Sequence, residues 1–246
     1  MSFDAPLPRF AGSCTALVTP FKNGAVGADS SCKLVEFQID NGTAGLVPVG
    51  TTGESPTLSH EEHDLVVELC IKQAAGRVPV IAGAGSNSTA EAVRLAEHAA
   101  TAGADAVLIV SPYYNKPTQA GLYAHFAAVA AAVDVPVIVY DIPGRSIVRV
   151  NDDTLARLAS DFANISGIKD ATADLVRPTA VQNLLGNDFT QLSGEDATAL
   201  PYLAAGGHGC ISVTANIAPK LLSEMHAAWW AGDIKTAQTI HQKLLP

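Results

Sequence analysis

Lys169 is the residue whose type and position most directly suggest chemistry. Of the eight lysines in the chain, it is the one that directly ends an apolar run, residues 165–168. If this run is a strand that ends at a barrel mouth, burial would lower the pKa of the ammonium and leave an amine that can form a Schiff base with a carbonyl compound. From position alone the alternative stays open that Lys169 is paired with Asp170 or Glu195 and only closes the barrel end.

Two tyrosines and an arginine follow other apolar runs. Tyr114 and Tyr140 each lie just after such a run, and a phenol hydrogen-bonded to the hydroxyl of Thr51 could transfer protons. Taken singly, each tyrosine could equally be an amphipathic residue at the edge of the core. Arg145 lies in a Pro-Gly turn, where its guanidinium could hold a carboxylate through two parallel hydrogen bonds, although a solvated surface arginine occupies the same kind of turn.

Other reactive patterns are weak. His60 and His63 are three residues apart, which is not the i, i+4 spacing of the H-E-x-x-H zinc motif, and no third ligand is evident, so we expect no metal. The chain has no G-x-S-x-G motif, which leaves serine hydrolase chemistry without support. The four cysteines are far apart with no C-x-x-C pair and predict neither a zinc site nor a disulfide framework.

The elements that must position these side chains alternate along the whole chain. Short apolar runs alternate with longer Ala-, Leu- and Glu-rich stretches of helical period, which is typical of βα units around a parallel sheet. We predict strands at residues 13–18, 45–49, 78–82, 105–110, 136–140, 164–168, 189–193 and 208–212. We predict helices at residues 29–41, 60–75, 88–102, 118–132, 152–161, 172–186, 195–205 and 216–231.

This alternation predicts an α/β fold, a (β/α)8 TIM barrel that forms one catalytic domain over residues 1–231. A doubly wound open sheet is the alternative. Its dinucleotide fingerprint is incomplete, because Gly83 and Gly85 follow the third strand but Ser88 stands where the third glycine should be. In a barrel the active site lies at the C-terminal ends of the strands, where the reactive residues above fall.

Composition limits the partners. With 48% hydrophobic and 16% charged residues the chain is neither disordered nor a coiled coil. The formal net charge of −9 offers no electrostatic footprint for nucleic acid or an anionic membrane, and no apolar run is long enough to span a bilayer. The first ten residues lack the basic start and apolar run of a signal peptide, so we expect a cytoplasmic protein that acts on a small metabolite.

Six motifs at the predicted strand ends closely resemble the dihydrodipicolinate synthase family, within the class I pyruvate-aldolase superfamily that includes N-acetylneuraminate lyase. They are VGTTGES (49–55), SPYYNKP (111–117), VYDIPGRS (139–146), GIKDAT (167–172), SGED (193–196) and ISVTAN (211–216). The resemblance covers residues 12–246, nearly the whole chain. It implies condensation of pyruvate with L-aspartate-4-semialdehyde to 4-hydroxy-tetrahydrodipicolinate, in lysine and diaminopimelate biosynthesis, without a metal or organic cofactor.

The resemblance implies four catalytic residues. Lys169 would form the imine with pyruvate, and Tyr140 would give or take a proton on the bound intermediate. Thr51 and Tyr114 would complete a hydroxyl relay to Tyr140, with Tyr114 reaching across from a neighbouring subunit. Homotetramers, built as dimers of dimers, are usual in the family that the chain resembles, and a tyrosine shared between subunits would require at least a dimer.

The resemblance also implies the substrate-binding residues. The pyruvate carboxylate would be held near Thr52 and Ile211, with Gly194 close by, and Arg145 would hold the carboxylate of the second substrate. The alternatives are relatives that cleave sialic acid or 2-keto-3-deoxy sugar acids, and a non-catalytic barrel that only binds pyruvate. The Thr51-Thr52 pair and Arg145 favour the synthase, and the intact nucleophile and relay disfavour the binding module.

A second site is implied for L-lysine as a feedback inhibitor at a subunit interface. The matching positions are Ser55, Pro56, His60, His63, Asn87, Glu91 and Tyr113. Pro56 departs from the alanine that is frequent there, and the two histidines could also be solvated residues of a helix start. Family members normally continue past the point that matches residue 246 into further helices, so we expect residues 232–246 to begin a truncated C-terminal helical extension.

Overall fold

A computed structural model describes residues 7–245, so residues 1–6 and 246 of the predicted domains lie outside the described part. The barrel strands are β1 (Gly12–Ala16), β2 (Gly45–Val47), β3 (Ile81–Gly83), β4 (Ala106–Val110), β5 (Val137–Asp141), β6 (Ile165–Asp170), β7 (Thr190–Ser193) and β8 (Gly209–Ser212). The helices are α1 (Ala28–Asp40), α2 (His60–Ala74), α3 (Thr89–Ala102), α4 (Gln119–Ala132), α5 (Asp152–Asp161), α6 (Arg177–Leu185), α7 (Ala199–Ala204), α8 (Pro219–Trp230) and α9 (Ile234–Leu244).

The eight strands form one parallel sheet in the order β2-β1-β8-β7-β6-β5-β4-β3. The two strands at the ends of this order meet, because Leu46 and Val80 form a parallel bridge and the Leu46 amide donates to the Pro79 carbonyl at 2.9 Å. The sheet thus closes into a barrel with helices between its strands. The predicted (β/α)8 fold is confirmed, and the open doubly wound sheet is wrong.

Alternation along the strands divides the apolar side chains into two layers. Ile138 and Leu192 point into the barrel interior, where they pack with Tyr140. Their neighbours Val139 and Ile168 belong to the layer between the strands and the helices. This period of two decides which residues at the ends of β5 and β6 face the barrel axis.

Three helices begin three or more residues later than predicted. Helix α6 starts at Arg177 rather than 172, because residues 171–176 form a turn. In this turn Asp170 Oδ1 accepts hydrogen bonds from the Thr172 amide at 2.9 Å and the Thr172 hydroxyl at 2.6 Å, and such local bonds compete with a helix. Helix α8 starts at Pro219, which suits the first position of a helix, and a short 3₁₀ turn, Asp196–Thr198, precedes α7.

A hairpin and a single helical turn were not predicted. The strands Phe21–Lys22 and Ala25–Val26 form a hairpin after β1, and a single helical turn, Pro143–Ser146, follows β5 and carries Arg145. At the other end of the chain, α9 packs on α8, where Ala237 and Met225 share one apolar cluster. No helix within residues 7–245 is long and apolar enough to cross a membrane.

Close contact between β1 and β8 gives a test of the barrel wall. A Cβ at Gly209 would lie 2.2 Å from the backbone oxygen of Gly12, so Gly209→Ala must push the two strands apart. We expect it to lower the free energy of unfolding by about 3 kcal/mol or more, at the upper end for overpacking. The thermal midpoint should fall by about 6 °C or more. Gly144→Ala is the control, because a Cβ there meets nothing within 4 Å, and equal midpoints for both variants would contradict the prediction.

Candidate active site

Lys169 lies at the end of β6 with only 5% of its surface exposed. It pairs in register with Tyr140 of β5, and its Nζ lies 4.2 Å from the centroid of the Tyr140 ring. Among residues 7–245 no carboxylate lies within ion-pair distance of Lys169, since Asp170 points to the other side of the wall and faces Arg177. The structure therefore does not support a salt-bridged lysine that only closes the barrel.

Burial makes the Lys169 amine a nucleophile. Loss of hydration lowers the pKa of Lys169 to about 8, and electrostatic interactions with Cys210 and Asp196 oppose this shift only in part. Above about pH 8 most molecules carry Lys169 as the neutral amine, which is the form that attacks a carbonyl carbon.

Tyr140 is the proton-transfer group nearest to this amine. It is 5% exposed, and burial raises the pKa of its phenol. A hydrogen bond with Thr51 and the positive charge of Arg145 act in the opposite direction, because both favour the phenolate. The structure therefore brings together Lys169, Tyr140, Thr51 and Arg145, as the sequence predicts.

Gly194 has no side chain and so leaves open space beside the Lys169 amine. A Cβ at this position would lie 3.1 Å from Lys169 Cε and 2.8 Å from the Cβ of Ala171. Ile211 is fully buried near the end of β8, in the cluster that fills the barrel interior. Thr52 is half-buried in the turn after β2. All three lie at the same end of the barrel as the amine.

Arg145 borders a cavity of about 220 Å³ at the barrel mouth. The residues around this cavity are Thr51, Ser55, Pro56, Gly85, Val110, Tyr113, Ile142, Arg145 and Ser146. The guanidinium is exposed on its helical turn, and it is close enough to Tyr140 to influence the phenol. One cation in a largely apolar cavity suits a small ligand with a carboxylate.

Tyr114 is not brought to the other candidates within this chain. Its side chain is 87% exposed, and its backbone has φ 72°, a left-handed conformation that is rare for a bulky residue. The neighbouring Tyr113 lines the cavity instead. The loop thus presents Tyr114 outward from the molecule.

The predicted lysine-binding residues gather around a second cavity, of about 160 Å³. Its lining includes Ser55, Pro56, His60, His63, Glu91 and Tyr113. Asn87 lies beside it and donates a hydrogen bond to the Tyr113 carbonyl at 3.3 Å. His60 Nε2 lies 2.6 Å from Glu91 Oε1, and the Ser86 hydroxyl also donates to the Glu91 carboxylate. The sequence prediction therefore selects residues that form one pocket.

The two cavities share a wall. Ser55, Pro56, Gly85 and Tyr113 line both of them. A ligand in the second cavity would therefore contact residues that also shape the first.

Two residues near the site were missed at the sequence level. Arg177 is 1% exposed, and its Nη1 lies 2.6 Å from Asp141 Oδ2 and 3.6 Å from Asp170 Oδ1. Asp196 accepts hydrogen bonds from the Ser212 hydroxyl and from the amides after it, and its charge acts on Lys169. The sequence contains a signal for Arg177. An aspartate directly follows both Tyr140 and Lys169, and two neighbouring acids in a core need a cation.

A TIM barrel that holds a desolvated lysine against a tyrosine at its C-terminal mouth has the features of enzymes that form a Schiff base with a carbonyl substrate. Comparison with known proteins specifies the family. Residues 9–246 match the model of the dihydrodipicolinate synthetase family, and the chain belongs to that family of lyases. The resemblance seen in the six sequence motifs is confirmed.

The similarity to individual members extends over nearly the whole chain. The chain is 61% identical over 238 residues to the 4-hydroxy-tetrahydrodipicolinate synthase of Bradyrhizobium diazoefficiens, which is 97% of this chain and 80% of that protein. The crystal structure of dihydrodipicolinate synthase from Aquifex aeolicus has a TM-score of 0.94 at 48% identity, with 96% of this chain and 80% of that one covered. The lysine-bound enzyme of Cyanidioschyzon merolae has a TM-score of 0.92 at 38% identity, with 95% and 80% covered.

The electrostatics of Lys169 can be measured directly. In protein labelled with ¹³C at lysine Cε, we expect one lysine resonance to titrate with a midpoint of about 8 because of burial. The ordinary value for a lysine side chain is about 10.4. Lys169→Arg should remove the low-pKa resonance and no other. A titration midpoint above about pH 10 for Lys169 would contradict the predicted effect of burial on an unpaired amine.

Proposed function

We propose that this chain condenses pyruvate with L-aspartate-4-semialdehyde to form 4-hydroxy-tetrahydrodipicolinate, a step in lysine and diaminopimelate biosynthesis. The observation that carries the proposal is the buried Lys169 amine, with a pKa of about 8, packed against Tyr140. Membership of the family and 61% identity to a relative with this named activity support it.

In the first half of the reaction, the neutral Lys169 amine attacks the carbonyl carbon of pyruvate. The addition product loses water and becomes a protonated imine, which withdraws electrons from the adjacent methyl carbon. Loss of a proton from that carbon gives an enamine, and we assign the proton transfer to the Tyr140 phenol, which is hydrogen-bonded to Thr51. The imine is itself the electron sink, so the proposed route needs no metal or organic cofactor.

In the second half, the enamine carbon attacks the aldehyde of L-aspartate-4-semialdehyde. The amino group of the new chain then attacks the imine carbon, which closes the ring and releases Lys169. Arg145, at the edge of the mouth cavity, holds the carboxylate of this second substrate. Thr52 and the backbone at Ile211 hold the pyruvate carboxylate, in the space that Gly194 leaves open beside Lys169.

The proposal includes assembly. Tyr114, 87% exposed in a strained loop, would complete the Thr51–Tyr140 relay of a neighbouring subunit within a homotetramer, a dimer of dimers. A cytoplasmic location is part of the same proposal, and the four free cysteine thiols suit a reducing compartment.

Two variants test the chemistry. In wild-type protein, we expect borohydride to trap a pyruvate adduct on Lys169, seen by peptide mass spectrometry, and we expect condensation with the semialdehyde. Lys169→Ala should lose both. Arg145→Ala should keep the trapped adduct but lower kcat/KM for the semialdehyde about 10- to 100-fold, the cost of losing a hydrogen bond between charged groups.

The same assay separates the relatives by substrate. Cleavage of sialate or of a 2-keto-3-deoxy sugar acid, without condensation, would replace the synthase by an aldolase. An unmodified Lys169 after pyruvate and borohydride would contradict both enzymes.

We further propose that L-lysine inhibits the enzyme from the second cavity. Hydrogen bonds from Ser86 and then from His60 lower the pKa of Glu91, which keeps its carboxylate charged for the ammonium of a ligand. The polar groups of Ser55 and Asn87 lie beside it, and a relative with the same fold has been solved with lysine bound. The shared wall offers a direct route to the catalytic cavity.

Glu91→Gln tests this regulation. It removes the charge that would pair with the ligand ammonium, so we expect the lysine concentration for half-inhibition to rise about 10-fold or more. Glu68→Gln is a matched control, because Glu68 lies on α2, is bound to His98 rather than to the cavity, and carries the same charge. Initial rates of the wild-type enzyme that do not change up to millimolar lysine would refute the inhibition.

A further inference from the structure

We propose that Arg177 is a positioning residue for the Schiff-base chemistry. It would set the distance between the Lys169 amine and the Tyr140 ring by binding both Asp141 and Asp170. These aspartates directly follow Tyr140 and Lys169 in the chain. This inference rests on the proposed function, because it assigns Arg177 a part in imine formation at that site.

The register of β5 and β6 connects Arg177 to the reactive pair Lys169 and Tyr140. Tyr140 pairs with Lys169, and the next pair along the two strands is Asp141 with Asp170. Since successive side chains alternate between the two faces of a strand, the first pair faces the barrel interior and the second pair faces the helices. Nη1 of Arg177 contacts both aspartates from outside the barrel, so the guanidinium joins the two strand ends one residue beyond Tyr140 and Lys169. We call Arg177, Asp141 and Asp170 the clamp.

The clamp is rigid because its groups are satisfied and buried. The side chains of Arg177 and Asp141 are 0% exposed and that of Asp170 is 2% exposed. Nη2 of Arg177 donates to the Val150 carbonyl at 2.7 Å, and Nε donates to Asp152 at 2.9 Å. All three guanidinium nitrogens thus have acceptors, and a planar fork held at each nitrogen has one orientation.

Each aspartate is also fixed from its own side. Asp141 Oδ1 accepts from the Val150 amide at 3.2 Å, and Asp170 Oδ1 accepts from the Thr172 amide and hydroxyl. Neither carboxylate can rotate to follow a displaced partner without losing these bonds. A shift of the guanidinium would therefore move the strand ends, and with them Lys169 and Tyr140.

Stability alone does not explain such a cluster. A buried ion cluster is often no more stabilising than well-packed apolar residues of the same volume, because each charge must be removed from water. The guanidinium also lies outside the cavity at the barrel mouth, so it does not bind substrate itself. A role through geometry remains, and a misplacement of about 1 Å in an active site can cost about 100-fold in rate.

A double-mutant cycle tests the positioning role. Arg177→Lys keeps one positive charge but cannot reach both aspartates and the Val150 carbonyl, so we expect kcat for condensation to fall about 10- to 100-fold. KM for pyruvate should change less than about threefold, because no binding group is lost. In a Tyr140→Phe background the same substitution should cost less than about threefold, since the distance between amine and phenol no longer matters.

Controls separate positioning from stability. Val35→Ala on α1 creates a cavity in the apolar cluster that also holds Leu46 and Val80 and contains none of the residues bound to Arg177, and its kcat, measured where all variants are folded, should equal that of the wild type. If Arg177→Lys does not fold, Asp141→Asn replaces it in the cycle, because this variant keeps the shape of the side chain and removes only its charge.

The outcomes are distinct. Equal losses in the wild-type and Tyr140→Phe backgrounds, or no loss of kcat in folded Arg177→Lys, would overturn the positioning role. A wild-type protein that traps no pyruvate would instead overturn the proposed function. Trapping and condensation by the wild type, with a loss confined to the background that retains Tyr140, supports both.

Discussion

The burial of a lysine amine without a counter-ion is the constraint on which the rest of the site depends. An ion pair at Lys169 would hold the side chain protonated and remove its nucleophilicity. The chain nevertheless places Asp170 directly after Lys169 and Asp141 directly after Tyr140. The alternation of the strands turns both acids outward, and Arg177 neutralises them there. One face of the barrel wall thus holds a desolvated amine, and the opposite face holds the charges that would otherwise suppress it.

The surroundings of the site follow from the same requirement. Gly194 leaves space where a side chain would crowd the amine, and burial of the Tyr140 ring against Lys169 excludes water from it. The polar groups that we propose to contact substrates lie on the loops above the strands instead, where they can be solvated. Arg145 lies there on its own helical turn, and Thr51 follows β2. The rigid, water-free floor of the site suits a covalent intermediate. The polar rim above it suits the entry of substrates from water.

Much of this could be read from the sequence because it depends on local pattern. The period of apolar residues fixed the order and type of the eight βα units, and the position of Lys169 directly after an apolar run indicated the barrel mouth. Errors arose where side chains bond to nearby backbone. The helical period predicts that α6 starts at 172 rather than at Arg177, because it does not reveal the hydrogen bonds that Thr172 donates to Asp170. The turn that carries Arg145 was missed for a similar reason, since four residues are too few to show a period.

By itself, then, the sequence determined the barrel, the family and the candidate nucleophile, since these depend on residue types and on the order of motifs along the chain. The tertiary structure decided the properties that depend on contacts between distant segments. It set the pKa of Lys169 through burial and joined α6 to two strand ends through Arg177. It also left Tyr114 exposed, away from Tyr140 of its own chain. Desolvation and ion pairing depend on distances in space, and no spacing along the chain specifies those distances.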